Sequence, residues 1–198
     1  MELSALITEA VPQRVIATHA YRGDDTVMLK REGLHEVCRL LRDDPQAACN
    51  VLMDLTCVDY LDFGKKRRGS APTMKTPSPL PYFMTSVPTT ETWSRLLSGQ
   101  AGQAEDRFEV VYHLYSLTHN HRVRLKVPVA ESDPAVDSVT DLWPAADWFE
   151  REVWDLFGIR FTGHPNLKRI MMYEPFEGHP LRKDYAVNKR QPLIGPVN

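Results

Sequence analysis

The sequence lacks several features that would place it in a well-marked class of protein. Its three cysteines, Cys38, Cys49 and Cys57, are widely spaced and form no CxxC pair. This argues against a disulfide framework and against a zinc or iron–sulfur site, and predicts buried thiols in a reducing compartment. No run of about 18 apolar residues occurs, so no transmembrane helix is expected. The first residues do not resemble a signal peptide, which favours a cytosolic location and leaves docking onto a membrane complex open.

Motifs that bind nucleotides or carry out catalysis are also missing. The chain contains no GxGxxG, no P-loop, no GxSxG and no HExxH. Its formal net charge is −2, which gives no global reason to expect nucleic acid or an anionic membrane as a partner. We therefore expect no nucleotide, flavin, metal or iron–sulfur centre to be bound by this chain, and no catalytic residue.

What is present indicates an ordinary folded domain. With 198 residues, 42% of them hydrophobic and 25% charged, the chain fits one domain with an appendage. Two β-rich runs at 15–21 and 26–30 flank Gly23-Asp24-Asp25 and predict a hairpin. Apolar residues spaced for one helix face predict a helix at 33–42, and a dense apolar run predicts a strand at 51–60 with both faces largely covered.

The alternation of apolar and polar residues is clearest between residues 107 and 127. It predicts an antiparallel hairpin with one buried face and one solvated face, which carries Glu109 and His113. The expected fold class is therefore α/β of the α+β type, with a mixed, largely antiparallel sheet packed with helices. We assign this domain to residues 1–160, and an extended, irregular, partner-docking tail to residues 161–198.

A proline-rich segment at about 62–105 interrupts the domain. It contains the basic run Lys65-Lys66-Arg67-Arg68 and many Ser, Thr and Pro residues, so it cannot bury enough apolar surface to offset its ordering entropy. We interpret it as an insertion in a loop. The basic run is more typical of a solvated loop or of a contact with an acidic partner than of a nucleic-acid site.

The stretch from Asp137 to Gly158 carries most of the candidate functional residues. Asp137 or Ser138 is expected to cap a helix through residues 141–143, which Pro144 interrupts. A second helix begins near Ala145 and ends at Gly158, a suitable C-terminal cap.

Two candidate carboxylates and one candidate surface pair lie on this second helix. Glu150 and Glu152 point about 200° apart, so they form no catalytic pair and are expected on a partner-facing surface, and Arg151 is expected to pair with Asp155 at the surface.

The C-terminal segment contains two Gly-His-Pro sequences, centred on His164 and His179. The proline biases each histidine toward an extended conformation, so structural pinning of a turn is favoured over an interface hydrogen bond or metal binding. A weak metal site at His119 and His121 is likewise disfavoured. The segment is too apolar for a free tail and is expected to dock against its own domain or another subunit. Truncation after Gly163 is therefore expected to leave the domain folded.

These residues together resemble a known family. The resemblance is carried by Glu150, Arg151, Glu152, Asp155 and Gly158, then Phe161, Gly163-His164-Pro165, Leu167, Arg169-Ile170, and finally Gly178, His179, Pro180, Leu181, Arg182, Lys183, Asp184 and Tyr185. This pattern resembles the signature of the C subunit of bacterial NADH-quinone oxidoreductase, the counterpart of the thirty-kilodalton subunit of mitochondrial respiratory complex I. The sequence departs from the family pattern at Ala186, where the family usually has proline.

The resemblance implies a non-redox connecting subunit in the peripheral arm of a proton-translocating enzyme, on the cytoplasmic face of the cell inner membrane. The complex would use FMN, iron–sulfur clusters, NADH and quinone, none of them bound here. The implied partner is chiefly the D subunit, with the B and I subunits nearby. Contact with the membrane would come only through the complex, and the signature residues would form the partner interface.

Three alternatives remain open on the sequence. The equivalent subunit of a membrane-bound hydrogenase, or of another donor's dehydrogenase, would share the signature. A free-standing metal-dependent hydrolase would use His164, His179 and Asp184, and a nucleic-acid adaptor would use the basic run at residues 65–68.

Overall fold

A computed structural model describes residues 2–61 and 106–192 of the chain. The predicted insertion at 62–105, with its basic run, and residues 193–198 lie outside the described residues. In chain order the elements are α1 (Leu3–Ala10), β1 (Val15–Tyr21), β2 (Asp24–Leu29), α2 (Leu34–Asp43), β3 (Val51–Asp59), β4 (Asp106–Ser116), β5 (His121–Ala130), β6 (Ala135–Asp137), α3 (Ala146–Phe157) and β7 (Arg160–Thr162).

The main sheet has five strands in the order β1-β2-β5-β4-β3. All neighbouring strands are antiparallel except β2 and β5, which are parallel. Both predicted hairpins are present, with strands at 15–21 and 24–29 and at 106–116 and 121–130, and the mixed, largely antiparallel sheet is confirmed. A separate parallel pair joins β6 to β7.

Among the described residues, one face of the main sheet and three helices enclose one hydrophobic core. Leu55 of β3, Leu125 of β5, Leu41 of α2 and Val153 of α3 all belong to this core. The three cysteines are buried and form no disulfide, as predicted. Within residues 2–61 and 106–192 the longest helix, α3, has 12 residues, and no helix there could span a bilayer.

Two expectations about the sheet are wrong. The outward face of β3 is not covered by the described elements, since the side chains of Met53 and Val58 are exposed. Conversely, Glu109 on the outward face of β4 is buried rather than solvated. Its carboxylate accepts from Lys126 Nζ at 2.7 Å and from the Tyr60 hydroxyl at 3.1 Å. Lys126 lies on β5 and Tyr60 directly follows β3, so a long side chain reaches Glu109 from each side of β4.

Two local predictions also fail. The first hairpin turns at Arg22 and Gly23, which both have positive φ, so the two aspartates that follow belong to β2. The expected helix through residues 141–143 is a turn, in which Val139 oxygen accepts from the backbone N–H groups of Leu142 and Trp143. Proline at position 144 has no backbone N–H to continue a helix.

The position of Leu125 at the centre of the core gives a direct test of this packing. Leu125→Ala is expected to lower the free energy of unfolding by about 2–5 kcal/mol, because it leaves a cavity in a fully buried site. Leu117→Ala is the matched control, since Leu117 is exposed at the β4–β5 turn and its loss is expected to change stability by less than about 0.5 kcal/mol. Urea unfolding of the full chain measures both. Equal effects would contradict the assigned core.

Candidate functional site around the third helix

Helix α3 ends at Gly158, as predicted, and the C-terminal segment packs against this end. Gly158 has φ +79°, and its N–H donates to Trp154 oxygen at 2.9 Å. A Cβ at this position would lie 2.7 Å from the His179 ring and 2.9 Å from an Arg182 nitrogen. Glycine therefore serves both the left-handed backbone and the close approach of the segment.

Asp155, in the last turn of α3, holds the segment by its carboxylate. The side chain is fully buried. Its Oδ2 accepts the backbone N–H groups of Ile170, Met171 and Met172 at 3.1, 2.9 and 2.8 Å, while Oδ1 pairs with Arg169. We call this set of contacts the Asp155 anchor. Three successive N–H groups converging on one oxygen form an anion-binding nest, here filled by a side chain of the same protein.

The electrostatics of the Asp155 anchor favour the ionised carboxylate. Burial alone would raise the pKa of Asp155, but the N–H groups of Met172, Ile170 and Met171, together with Arg169, lower it below its usual value. The surface pair expected between Arg151 and Asp155 is therefore wrong. Asp155 cannot contact a partner subunit either, because every approach to it is occupied by the chain itself.

Arg169 also contacts aromatic side chains next to the Asp155 anchor. Beyond Asp155, it donates to Gly178 oxygen at 3.3 Å, and its guanidinium lies 5.9 Å from the Trp154 ring and 5.8 Å from the Phe176 ring. Tyr185 stacks on Phe176 with a centroid distance of 6.1 Å. Residues 163–192 contain no helix or strand. The conformation of this segment therefore depends on side-chain contacts such as these.

The two predicted histidine pins are both present. His164 Nδ1 accepts Asn166 N–H at 2.9 Å, so its proton is on Nε2, which lies 3.2 Å from the carbonyl oxygen of Asp147 at the start of α3. His179 Nδ1 lies 2.9 Å from Asp155 oxygen. Burial lowers the pKa of His179, which favours the neutral ring that donates to this carbonyl.

The last carbonyls of α3 are capped by the C-terminal segment. Leu181 N–H donates to Leu156 oxygen at 3.1 Å, and Arg182 Nε donates to Phe157 oxygen at 2.6 Å. The Arg182 guanidinium also lies 5.0 Å from the Phe108 ring in β4. Pro180 directly precedes this cap and lies partly buried. A cation at a helix C-terminus is favourable, so the segment completes the helix.

A second charged cluster, which the sequence did not reveal, joins the segment to the sheet. Arg107 is almost fully buried and pairs with Asp59 at 2.6 Å, with Asp184 at 2.8 Å and with Glu131 at 2.6 Å. Lys183 N–H donates to Asp59 at 2.8 Å. Burial would raise the pKa of Asp59, but Arg107 and this N–H help to lower it to about 2. One sequence signal could have revealed this cluster: Asp59 alternates in phase with Leu55 and Cys57, which are buried positions of β3, and a buried carboxylate needs a partner.

Glu150 does not lie on a partner-facing surface, and this expectation is wrong. It is fully buried, and its carboxylate accepts Ser138 Oγ–H and Val139 N–H, both at 2.7 Å. Glu150 lies one turn after Ala146 and one turn before Val153, on the stripe of α3 that faces the core. Glu152 lies on another side of the helix and is only partly buried.

The structure does not assemble the metal ligands of the hydrolase alternative. His164 bonds to Asp147, His179 bonds to Asp155, and Asp184 pairs with Arg107, so each has a different partner. The rings of His119 and His121 lie close to the carbonyl oxygens of Pro45 and Ala47, at 2.9 and 2.7 Å respectively. Within residues 2–61 and 106–192, no group of three His, Cys, Asp or Glu side chains is arranged to hold a metal ion.

These contacts argue against a dispensable tail. Truncation after Gly163 would remove the four donors to Asp155 named above, one of the three carboxylate partners of Arg107, and the cap on the last carbonyls of α3. We therefore expect the truncated domain to be destabilised.

The Asp155 anchor is testable by a single substitution. Asp155→Asn keeps the size of the side chain but removes its charge, and is expected to lower the free energy of unfolding by about 3 kcal/mol, within the range for breaking a buried pair. The control is Glu174→Gln, an exposed carboxylate in the same segment, which is expected to have little effect. Chemical denaturation of the full chain measures both, and an unchanged midpoint for Asp155→Asn would refute the anchor.

The buried Glu150 predicts a pH dependence of stability. Burial raises its pKa from 4.5 to about 7, against the opposing hydrogen bonds from Val139 and Ser138. The folded state therefore holds the proton more tightly than the unfolded state, so this contribution to stability is complete below pH 4.5 and is lost as pH rises to about 7. Glu150→Gln is expected to remove this decline and to be more stable than wild type at pH 8 by roughly 2–4 kcal/mol. Parallel slopes for both proteins between pH 4.5 and 7 would contradict the assignment.

Comparison with known proteins agrees with this architecture. The C subunit of the NADH-quinone oxidoreductase of Roseiflexus castenholzii is 39% identical over 187 residues, covering 94% of this chain and 84% of that protein. The C subunit of the Coxiella burnetii enzyme is 41% identical over 172 residues, covering 87% of this chain and 69% of that protein.

Solved structures show the same fold. A trypsin-resistant fragment of Nqo5 matches with a TM-score of 0.55 and 31% identity, covering 84% of this chain and all of that one. An archaeal membrane-bound sulfane sulfur reductase contains a chain with a TM-score of 0.60 at 18% identity, covering 94% of this chain and 85% of that one. The family model for the respiratory-chain NADH dehydrogenase 30-kDa subunit matches residues 27–191. The chain belongs to the family of the 30-kDa subunit of respiratory-chain NADH dehydrogenase.

Proposed function

We propose that this chain is a connecting subunit of a proton-translocating NADH:quinone oxidoreductase. Its own contribution would be positional: it would hold neighbouring subunits so that electrons pass from NADH through FMN and iron–sulfur clusters to quinone. Those groups would be bound by other subunits. The neighbour would be chiefly the D subunit, with the B and I subunits close by, at the cytoplasmic face of the inner membrane.

The observation that carries this proposal is the way the family signature is used. The signature residues Asp155, Arg169 and His179 fix an irregular segment to α3. They bind one another or the backbone, and do not converge on a common site where a substrate could react. A rigid irregular segment with exposed apolar side chains, such as Met171 and Leu181, suits a role in protein contacts. A positional role needs this kind of surface and no chemistry of its own.

A second candidate is the equivalent subunit of a complex that takes electrons from another donor. The observation that favours it is the shared fold with a chain of the archaeal sulfane sulfur reductase, which is described as a respiratory membrane complex. Relatives near 40% identity that are named as NADH-quinone oxidoreductase subunits favour the first candidate.

Deletion of the gene tests the proposal. Membranes from cells without the chain are expected to lose NADH-driven quinone reduction and regain it when the full chain is restored. NADH oxidation by ferricyanide, which accepts electrons before quinone, is expected to fall less because the chain holds no redox group. Full NADH:quinone activity without the chain would refute the proposal. Loss of quinone reduction with a different donor, while the NADH rate stays intact, would support the second candidate.

A further inference from the structure

Helix α3 and the C-terminal segment share an exposed surface outside the contacts described above. It consists of Trp148, Arg151, Lys168 and Met171, and we call it the Trp148 surface. Trp148 is 63% exposed and Met171 is 57% exposed. Arg151 connects the two elements: its guanidinium lies 5.5 Å from the Trp148 ring, and its Nε donates to Lys168 oxygen at 3.1 Å.

The backbone beneath this surface is fixed in the isolated chain. Met171 N–H is bound to Asp155 at 2.9 Å, although the Met171 side chain is exposed. Next to Trp148, Asp147 is held by the His164 pin. The conformational entropy of this backbone is therefore lost when the chain folds and not when a partner binds, which favours tight association.

The charge of the Trp148 surface indicates the chemistry of its partner. Arg151 donates to the carbonyl oxygens of residues 168 and 169, and neither it nor Lys168 has a carboxylate partner among the described residues. Asp147, one turn before Arg151, lies 3.1 Å from His164 Nε2, and Glu150 is buried, so Glu152 is the remaining acidic side chain between residues 146 and 152 of α3. Residues 161–198 as a whole contain six basic and three acidic residues in a chain whose net charge is −2.

We propose that the Trp148 surface docks onto an apolar face of a neighbouring subunit that carries acidic side chains at its rim. Trp148 and Met171 would fill apolar depressions, and Arg151 and Lys168 would face carboxylates. Trp and Arg are the side chains most enriched at the energetic centres of interfaces, and Met is enriched in interfaces generally. This inference rests on the proposed function, because the partner is another subunit of the same complex.

The test is a reconstitution titration with purified full-length protein. Membranes from cells that lack the chain are titrated with each variant, and the concentration that restores half of the NADH:quinone activity is measured. Trp148→Ala is expected to raise that concentration on the order of 30-fold, and Met171→Ala several-fold. Leu117→Ala removes an equally exposed apolar side chain at the β4–β5 turn and is expected to change nothing. The melting temperature of each variant alone is expected to match that of wild type, since these side chains are exposed.

The acidic character of the partner is tested separately. Lys168→Glu is expected to raise the half-restoring concentration several-fold, and added salt is expected to weaken the binding of wild type more than that of this variant.

An unchanged half-restoring concentration for Trp148→Ala, or one matched by Leu117→Ala, overturns the docking surface. Tighter or unchanged binding of Lys168→Glu overturns the acidic partner. A wild-type dimer that Trp148→Ala dissociates would assign the surface to self-association. Failure of wild type itself to restore activity would instead refute the proposed function.

Discussion

The ion pair and hydrogen bonds of the Asp155 carboxylate turn an irregular segment into part of a folded domain. The segment after β7 has no helix or strand among the described residues, so its own backbone hydrogen bonds cannot fix it. Asp155 supplies the missing acceptor: three consecutive N–H groups and the Arg169 guanidinium converge on one buried side chain. A buried carboxylate without these donors would be costly, and these N–H groups without the carboxylate would need other partners. Each side of the contact therefore depends on the other.

Two further contacts make the segment and the domain one unit. In the cap on α3, Arg182 donates to Phe157 oxygen. In the second contact, Arg107 pairs with Asp59, 48 positions earlier in the chain, and with Asp184, 77 positions later. Sheet, helix and segment meet at two adjacent residues of the segment, because Arg182 binds the end of α3 and Lys183 binds Asp59 at the end of β3. The surface that faces outward is consequently rigid, and a rigid surface is what a subunit with a positional role requires. Glu150 differs from these carboxylates, because its partners among the described residues are the neutral donors Ser138 and Val139 and none is a cation.

Much of the fold was predictable because its signals are local. The β4–β5 hairpin follows from strict alternation, α2 from helical spacing, and the end of α3 from Gly158, which has the predicted role.

The candidate site was harder to predict, because its contacts join residues distant in sequence. Spacing favoured Arg151 as the partner of Asp155, whereas the tertiary fold supplies Arg169. Glu150 looked like a surface residue because carboxylates are rarely buried alone. Arg107 and Asp59 were missed because neither lies in the signature, although Asp59 follows the buried phase of β3. The resemblance identified the family, but it could not show that the signature residues bind one another.

The central claim is that the Asp155 carboxylate fixes the segment before any partner binds. Hydrogen exchange of the Ile170, Met171 and Met172 amides in the isolated full chain tests this most directly. The structure predicts that these three amides exchange as slowly as those in the middle of α3, and that Asp155→Asn makes all three fast while the amides of β4 and β5 stay protected. Fast exchange of the three amides in the wild-type chain would contradict the account, since the segment would then become ordered only in the assembled complex.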